Sequence, residues 1–342
     1  MRAALLTRYT ERTGSSRVRV FQFVPYLERA GVEVRTLDWA VTGRADLARY
    51  IVEALRVVRW ADVVLLQKPC QPPWLLRLLA RANPNLVVDF DDAVWAPTTN
   101  GADARNERYG ERLRCAVGLA HTVTAGSEYL ARWAAQTSPG AEVEVLRPSV
   151  DLTTYRAEEP ESSGGLPTIG WVGNPGNFQD FTASAVSGLR TFIDSGRARC
   201  KIVSSRPLEV DGLRCDFEPW SSEGEVEALR AFDIGIMPLL DTERSRGRCG
   251  FKAVQYQAVG VPVVASNVVG AVEVIDDTVT GFNVTGSAEW ESRLGALVAD
   301  AALRKKMGQA GRRRVEQNYS VQVNLPRLLD VLDRAARSSR HR

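Results

Sequence analysis

Short apolar runs recur along the chain, separated by longer stretches in which apolar residues return at helical spacing. In the first half the runs fall at residues 3–6, 32–37, 62–66, 86–90, 121–124 and 143–146. Runs this short, rich in Val, Leu and Ile and bounded by polar or turn residues, predict strands buried on both faces. The stretches between them predict helices over 16–30, 46–60, 73–82 and 105–119, with Gly31 closing the first and Pro73 opening the third. Ser127 stands directly before a further helical stretch and suits its N-cap. Alternation on this scale implies a parallel sheet with helices on both faces.

Residues 156–166 (RAEEPESSGGL) break the pattern: charged, rich in Pro, Gly and Ser, and without apolar periodicity, they read as a linker. A second series follows, with strands expected at 168–172, 201–204, 233–237, 261–265 and 282–284. Helices are expected at 223–232, 250–259, 288–299, 301–315 and 321–336, the last amphipathic through Leu325, Leu328, Leu329 and Leu332. At 342 residues two domains are the natural expectation. The organisation read is residues 1–155 as one Rossmann-like domain, 156–166 as linker, 167–318 as a second, and 319–342 as a helix crossing back to the first. Two such halves facing across a cleft would bind a ligand there.

The segment 232–282 carries the sharpest chemistry. A buried strand ends at Pro238, and a loop follows with Arg244, Arg246 and Arg248 beside Gly247 and Gly250. A helix then opens near Phe251 with Lys252 in its first turn. Cations at a helix N-terminus oppose its dipole, so Arg248 and Lys252 suit a bound polyanion, with the glycine and helix amides as further donors. A solvated basic loop is the plain alternative. The run GVPVVAS at 260–266, a helix stop followed at once by a buried strand, places the loop in a βαβ unit at the sheet edge where ligands bind.

Composition adds exclusions. Apolar content of 44% and charged content of 25% are those of a globular protein, and a net charge of +3 gives no case for nucleic acid. No apolar run approaches a membrane span, and residues 1–14 lack a signal-peptide core, so a cytoplasmic protein is expected. The five cysteines are scattered without a CxxC, which suits reduced thiols, and no metal-ligand spacing is present. His121 reads as a hydrogen-bonded core residue. Residues 73–82, with Trp74, Arg77 and Arg81, suit either a membrane-surface contact or a buried helix with exposed arginines.

Asp89, Asp91 and Asp92 close a buried strand, and three carboxylates so close must be balanced by cations or hydroxyls. Asp91 or Asp92 can bind acceptor hydroxyls or act as general base; Asp89 or Asp92 can instead cap a helix. Gly14, Ser15 and Arg17 follow the first strand, where glycine and serine can approach a transferred sugar or diphosphate and Arg17 can pair with a phosphate or acidic acceptor. An ordinary cap at Ser16 with surface arginines explains the same residues.

Taken in order, GSSRVR at 14–19, VDFDDAVW at 88–95, TAGSEYL at 124–130, IGWVGNP at 169–175, GRCGFK at 247–252 and GVPVVAS at 260–266 resemble the family 4 retaining glycosyltransferases of the GT-B fold. The resemblance extends over nearly the whole chain and is closest to a bacterial branch with a G-K/R-C-G-F-K motif. It implies transfer of a sugar from a nucleotide-diphosphate sugar to an acceptor hydroxyl with retention, without a metal or other cofactor, the leaving diphosphate being stabilised by basic side chains and helix amides. Together with the residue readings above, it leads to donor contacts at Gly14, Ser15, Arg17, Gly173, Asn174, Trp220, Asp241, Gly250, Phe251 and Gln255, and catalytic groups at Asp91, Asp92, Arg248 and Lys252. Trp220, expected at the nucleotide base, is equally explained by core packing. The implied acceptor is a small molecule, a lipid-linked species or a glycan, with membrane contact at most peripheral.

One departure stands out. The family commonly carries two glutamates eight positions apart, at sugar and ribose, where this chain has Gly247 and Gln255. Gln255 can still bond a ribose hydroxyl; Gly247 offers the sugar no side chain. Asp241 and Glu243 are the nearest acids that can compensate. Two rivals follow: a GT-B-fold protein that binds nucleotide sugars without transferring them, and a dinucleotide oxidoreductase. The second lacks a G-x-G-x-x-G after the first strand.

Overall fold

The computed structural model describes residues 1–97, 104–156 and 165–338. Most of the expected linker, and His341, therefore lie outside the described residues. The chain divides into two compact units: Met1–Ser149 with Gly247–Cys249 and Val321–Arg342, and Val150–Arg246 with Gly250–Ser320.

The first unit is built on a six-stranded parallel sheet. Its strands are β1 (Arg2–Thr7), β2 (Glu33–Asp38), β3 (Val63–Gln67), β4 (Leu86–Phe90), β5 (Thr122–Ala125) and β6 (Glu142–Val145), in the order β2-β1-β3-β4-β5-β6. Alternate residues serve opposite layers, as the pleat requires. Ala4, Leu6, Val64, Leu66, Val88 and Phe90 pack in one cluster with helices Arg44–Trp60, Pro73–Ala82, Ala104–Leu119 and Glu128–Thr137. Ala3, Leu5, Val63, Leu65 and Val87 pack in another with Leu328, Val331, Leu332 and Ala335 of the C-terminal helix Val321–Ser338. Leu75, Leu76 and Leu79 are fully buried while Arg77 and Arg81 are exposed, so helix Pro73–Ala82 is a core helix.

The second unit holds another six-stranded parallel sheet. It comprises β7 (Thr168–Val172), β8 (Arg199–Ser204), β9 (Asp216–Pro219), β10 (Ile234–Met237), β11 (Val263–Ser266) and β12 (Gly281–Val284), in the order β12-β11-β10-β7-β8-β9. Strand order reverses between β7 and β10 here and between β1 and β3 in the first unit. In open α/β sheets such reversals open a crevice at the carboxyl ends of the strands. The segments leaving those strands carry Gly173, Asn174 and Asp241 in one unit, and Ser15 and Lys68 in the other.

Two expectations need revision. The first helix is not continuous over 16–30 but splits into Gly14–Arg19, a 3-10 turn at Phe21–Phe23, and Val24–Arg29. Val20 leaves helical geometry (φ −130°, ψ −65°), and Pro25 sits at a helix start, where its missing N–H costs nothing. Strand β9 and helices Phe178–Ser184 and Val186–Asp194 were not anticipated. β9 lies at the sheet edge, half solvated and ending in Pro219, so it shows no apolar run.

Candidate functional site

In the first unit each aspartate after β4 meets a cation or hydroxyl. Asp89 is paired with Arg19, both side chains 1% exposed, through Arg19 Nε to Asp89 Oδ2 at 3.0 Å and Arg19 Nη2 to Asp89 Oδ1. Thr124 Oγ1 donates to the same carboxylate at 2.7 Å. Asp89 is therefore a buried structural anchor for helix Gly14–Arg19.

Asp91 and Asp92 share Lys68, whose Nζ lies 3.1 Å from Asp91 Oδ1 and contacts Asp92 Oδ2. Ser15 Oγ donates to both Asp91 oxygens at 2.9 Å and accepts from Gln67 Nε2 at 3.2 Å. Ser16 is not a cap but a buried helix residue whose Oγ donates to Gln67 Oε1 at 2.8 Å. Burial alone would raise the Asp91 pKa; the Lys68 and Arg19 charges and the bonds from Ser15 and Lys68 outweigh it and hold the carboxyl below its usual range. A carboxylate so held accepts protons poorly near neutrality. This environment suits orienting a hydroxyl or fixing Lys68 better than general-base work.

Lys68 is a site residue that the sequence reading missed. It follows β3 directly, with φ +50°, a left-handed backbone that a lysine adopts at a cost. Its N–H donates to Asp89 O at 2.6 Å, and its side chain is 8% exposed, so the turn is held at both ends. Burial works against the ammonium, but Asp91 and Asp92 keep its pKa above the ordinary lysine value.

Gly247–Cys249 belongs to this unit. The Cys249 thiol donates to Asp91 O at 3.0 Å, and Cβ atoms added at Gly126 or Gly247 would overlap Cys249 Sγ and Ala93 Cβ respectively. A larger side chain at 247 would therefore meet Ala93. Arg248 and Arg17 are half-buried; Gly14 is exposed, with nothing within 4 Å of an added Cβ. His121 is half-buried and bonded through Nδ1 to Thr122 Oγ1 at 2.9 Å.

In the second unit, helix Phe251–Ala258 opens at Gly250 and carries no acid in its first turn. Gly250 has φ +64°, and a Cβ there would overlap Gly270 O and stand 2.7 Å from Val274 Cγ2. Gly250→Val should therefore destabilise the protein by about 1–3 kcal/mol, seen as a lower urea midpoint; an unchanged midpoint would show that the loop relaxes freely. Lys252 is half-buried in the first turn, and Phe251 packs against the core cluster. Gly260, at φ +79°, ends the helix as anticipated.

Trp220 and Gln255 are joined by two residues the sequence reading missed. Gln255 Nε2 donates to Tyr155 Oη at 2.7 Å, Tyr155 Oη donates to Glu225 Oε2 at 2.8 Å, and Trp220 Nε1 donates to Glu225 Oε1 at 3.1 Å. Gln255 is 3% exposed, and one of its two amide N–H donors is taken by Tyr155. Trp220 also packs against the core. Asn174 Oδ1 caps the turn Pro175–Asn177 by accepting from Gly176 N at 2.9 Å, and Gly173 is buried beside the Trp171 ring, where a Cβ would overlap it. Asp241 is exposed and paired with Arg246 at 2.7 and 2.9 Å, and that bond lowers its pKa. Glu243 is exposed at the start of the short helix Glu243–Arg246.

Among the described residues no group of three or more His, Cys, Asp or Glu could hold a metal ion, and no helix is long and apolar enough to cross a membrane.

Comparison with known proteins adds to this geometry. Residues 167–300 match the family model described as "Glycosyl transferases group 1". The D-inositol 3-phosphate glycosyltransferase of Nocardia farcinica is 29% identical over 194 residues, 48% of this chain and 42% of that protein. The chain thus spans less than half the length of that curated relative. Sucrose-phosphate synthase from Thermosynechococcus elongatus has a similar structure (TM-score 0.73, 15% identity, 97% of this chain and 98% of that one). So has Anabaena Alr3699/HepE in complex with UDP and glucose (TM-score 0.71, 15% identity, 96% and 99%). The two-sheet α/β architecture is that of the GT-B glycosyltransferases.

Proposed function

We propose that this chain is a glycosyltransferase that moves a sugar from a nucleotide-diphosphate sugar to an acceptor hydroxyl. The observation that carries the reading is the glycosyl-transferase match over 167–300, which encloses the basic loop, left-handed Gly250 and the helix that Lys252 opens. Chemistry agrees: a diphosphate leaving group accumulates negative charge, and cations with amide donors at a helix N-terminus stabilise it. Arg248 and Lys252 supply the cations; Gly250 and Phe251 supply amides. Gly173, Asn174, Trp220, Asp241 and Gln255 are the further donor contacts in this reading. In the first unit Ser15, Asp91, Asp92, Gly14 and Arg17 flank the acceptor and the reacting sugar. Retention at the anomeric carbon follows the family resemblance, and with the diphosphate met by side chains the activity should persist in EDTA.

Thermal-shift screening against nucleoside diphosphates and their sugars tests the donor half, because a ligand of the folded form raises its Tm. Uridine diphosphate is the first probe, since a similar structure holds UDP. Replacing Arg248 and Lys252 together by alanine should raise donor KM and lower kcat by about 100-fold while the urea midpoint stays put. Unchanged kinetics would remove both residues from the site. A second reading, binding without transfer, draws on Gly247 and Gln255 standing where the family has glutamates. Turnover of a donor that shifts Tm separates the two.

A further inference from the structure

Cys200 lies on β8, and Cys215 immediately precedes β9. Lys201 pairs with Asp216 in the parallel register, so the two cysteines stand opposite one another one step earlier. Successive side chains alternate across a sheet, so opposite residues share a face. Both thiols accordingly belong to the same side: Cys200 is inside the cluster of Ile169, Phe181 and Phe192, and Cys215 packs against it. Their sulfurs are 2.7 Å apart, closer than the roughly 3.5–4.0 Å of ordinary non-bonded contacts. Backbones of neighbouring strands run about 4.8 Å apart, within the range of about 4.4–6.8 Å that a disulfide spans between Cα atoms. Cys70, Cys115 and Cys249 all belong to the first unit, so this pair is the only one the second unit can form.

We infer that Cys200 and Cys215 form an oxidisable dithiol that a low-molecular-weight disulfide converts into an intrachain disulfide joining β8 to the edge strand β9. Cys200 is 3% exposed and Cys215 is half-buried, so Cys215 reacts first, as the nucleophile. Its thiolate cleaves the reagent's S–S bond, forming a mixed disulfide and releasing one small thiol. Cys200 then loses its proton and attacks Cys215 Sγ, displacing the second small thiol. Two protein thiols are oxidised and one reagent disulfide is reduced to two thiols. Burial also raises the Cys200 thiol above its usual pKa and persists once Cys215 is in the mixed disulfide, so the second step is the slower one.

The test treats the full chain with oxidised glutathione, quenches by acid, and counts thiols in denaturant alongside peptide mass mapping. The wild type should fall from five thiols to three and yield a cross-linked peptide pair containing Cys200 and Cys215. Cys200→Ala should instead keep a stable glutathione adduct on Cys215, because the resolving thiol is gone. A wild type that keeps five thiols, retains glutathione on Cys215, or cross-links another pair overturns the inference. So does a Cys200→Ala protein that takes up no glutathione at Cys215.

Discussion

Arg19→Met should cost about 3–5 kcal/mol of stability, read as a large drop in urea midpoint with the slope unchanged. The substitution keeps a long apolar stem and removes only the guanidinium. What it leaves behind is Asp89, 1% exposed, with Thr124 still donating to it. A carboxylate stranded in that interior loses far more than a surface ion pair would. Arg19 also donates to Leu146 O, so the same change leaves a carbonyl short of one donor. Pairing the substitution with Asp89→Leu should recover more than half of the loss, because an apolar pair removes the stranded charge. A single-mutant loss under about 1 kcal/mol would mean that water reaches Asp89.

The strands were legible because parallel strands buried on both faces leave compact apolar runs. Residues 86–90 and 168–172 were anticipated to the residue. Edge strand β9 left no such run, and helices Phe178–Ser184 and Val186–Asp194 were hidden where Ala185 (φ −105°) interrupts the helical repeat. In the site, the need for counter-charges at Asp89, Asp91 and Asp92 could be argued from spacing alone. Their identity could not. Lys68 lies 23 positions and Arg19 70 positions away, and only the pairing of β3 with β4 and the placing of helix Gly14–Arg19 bring them in. A signal was available: Gln67 and Lys68 are polar residues ending an otherwise apolar strand, which marks the ligand edge of a sheet. Tyr155 gave none, since it reaches Glu225 and Gln255 only through folding of segments 70 and 100 residues apart.

Lys68→Met should destabilise the protein by about 2–4 kcal/mol at neutral pH, less than the Arg19 change because Asp92 is 42% exposed and water screens part of its charge. The pH dependence distinguishes a charge effect from lost packing. In the wild type Asp91 has a folded pKa below its unfolded value, so it contributes stability above about pH 4 and loses it as pH falls through the folded pKa. Without the ammonium, two neighbouring carboxylates must stay charged at neutral pH, and protonating either one relieves them. The wild type therefore weakens on acidification while the variant gains relative to it. Urea unfolding at pH 7 and near pH 4 should show the gap between the two proteins closing by at least half. A gap that stays constant would mean that the loss does not come from unbalanced charge on Asp91 and Asp92. The same variant bears on function: if Lys68 holds Asp91 and Asp92 for an acceptor hydroxyl, acceptor KM should rise while donor-induced Tm shifts remain. Loss of both together would place Lys68 in general folding instead.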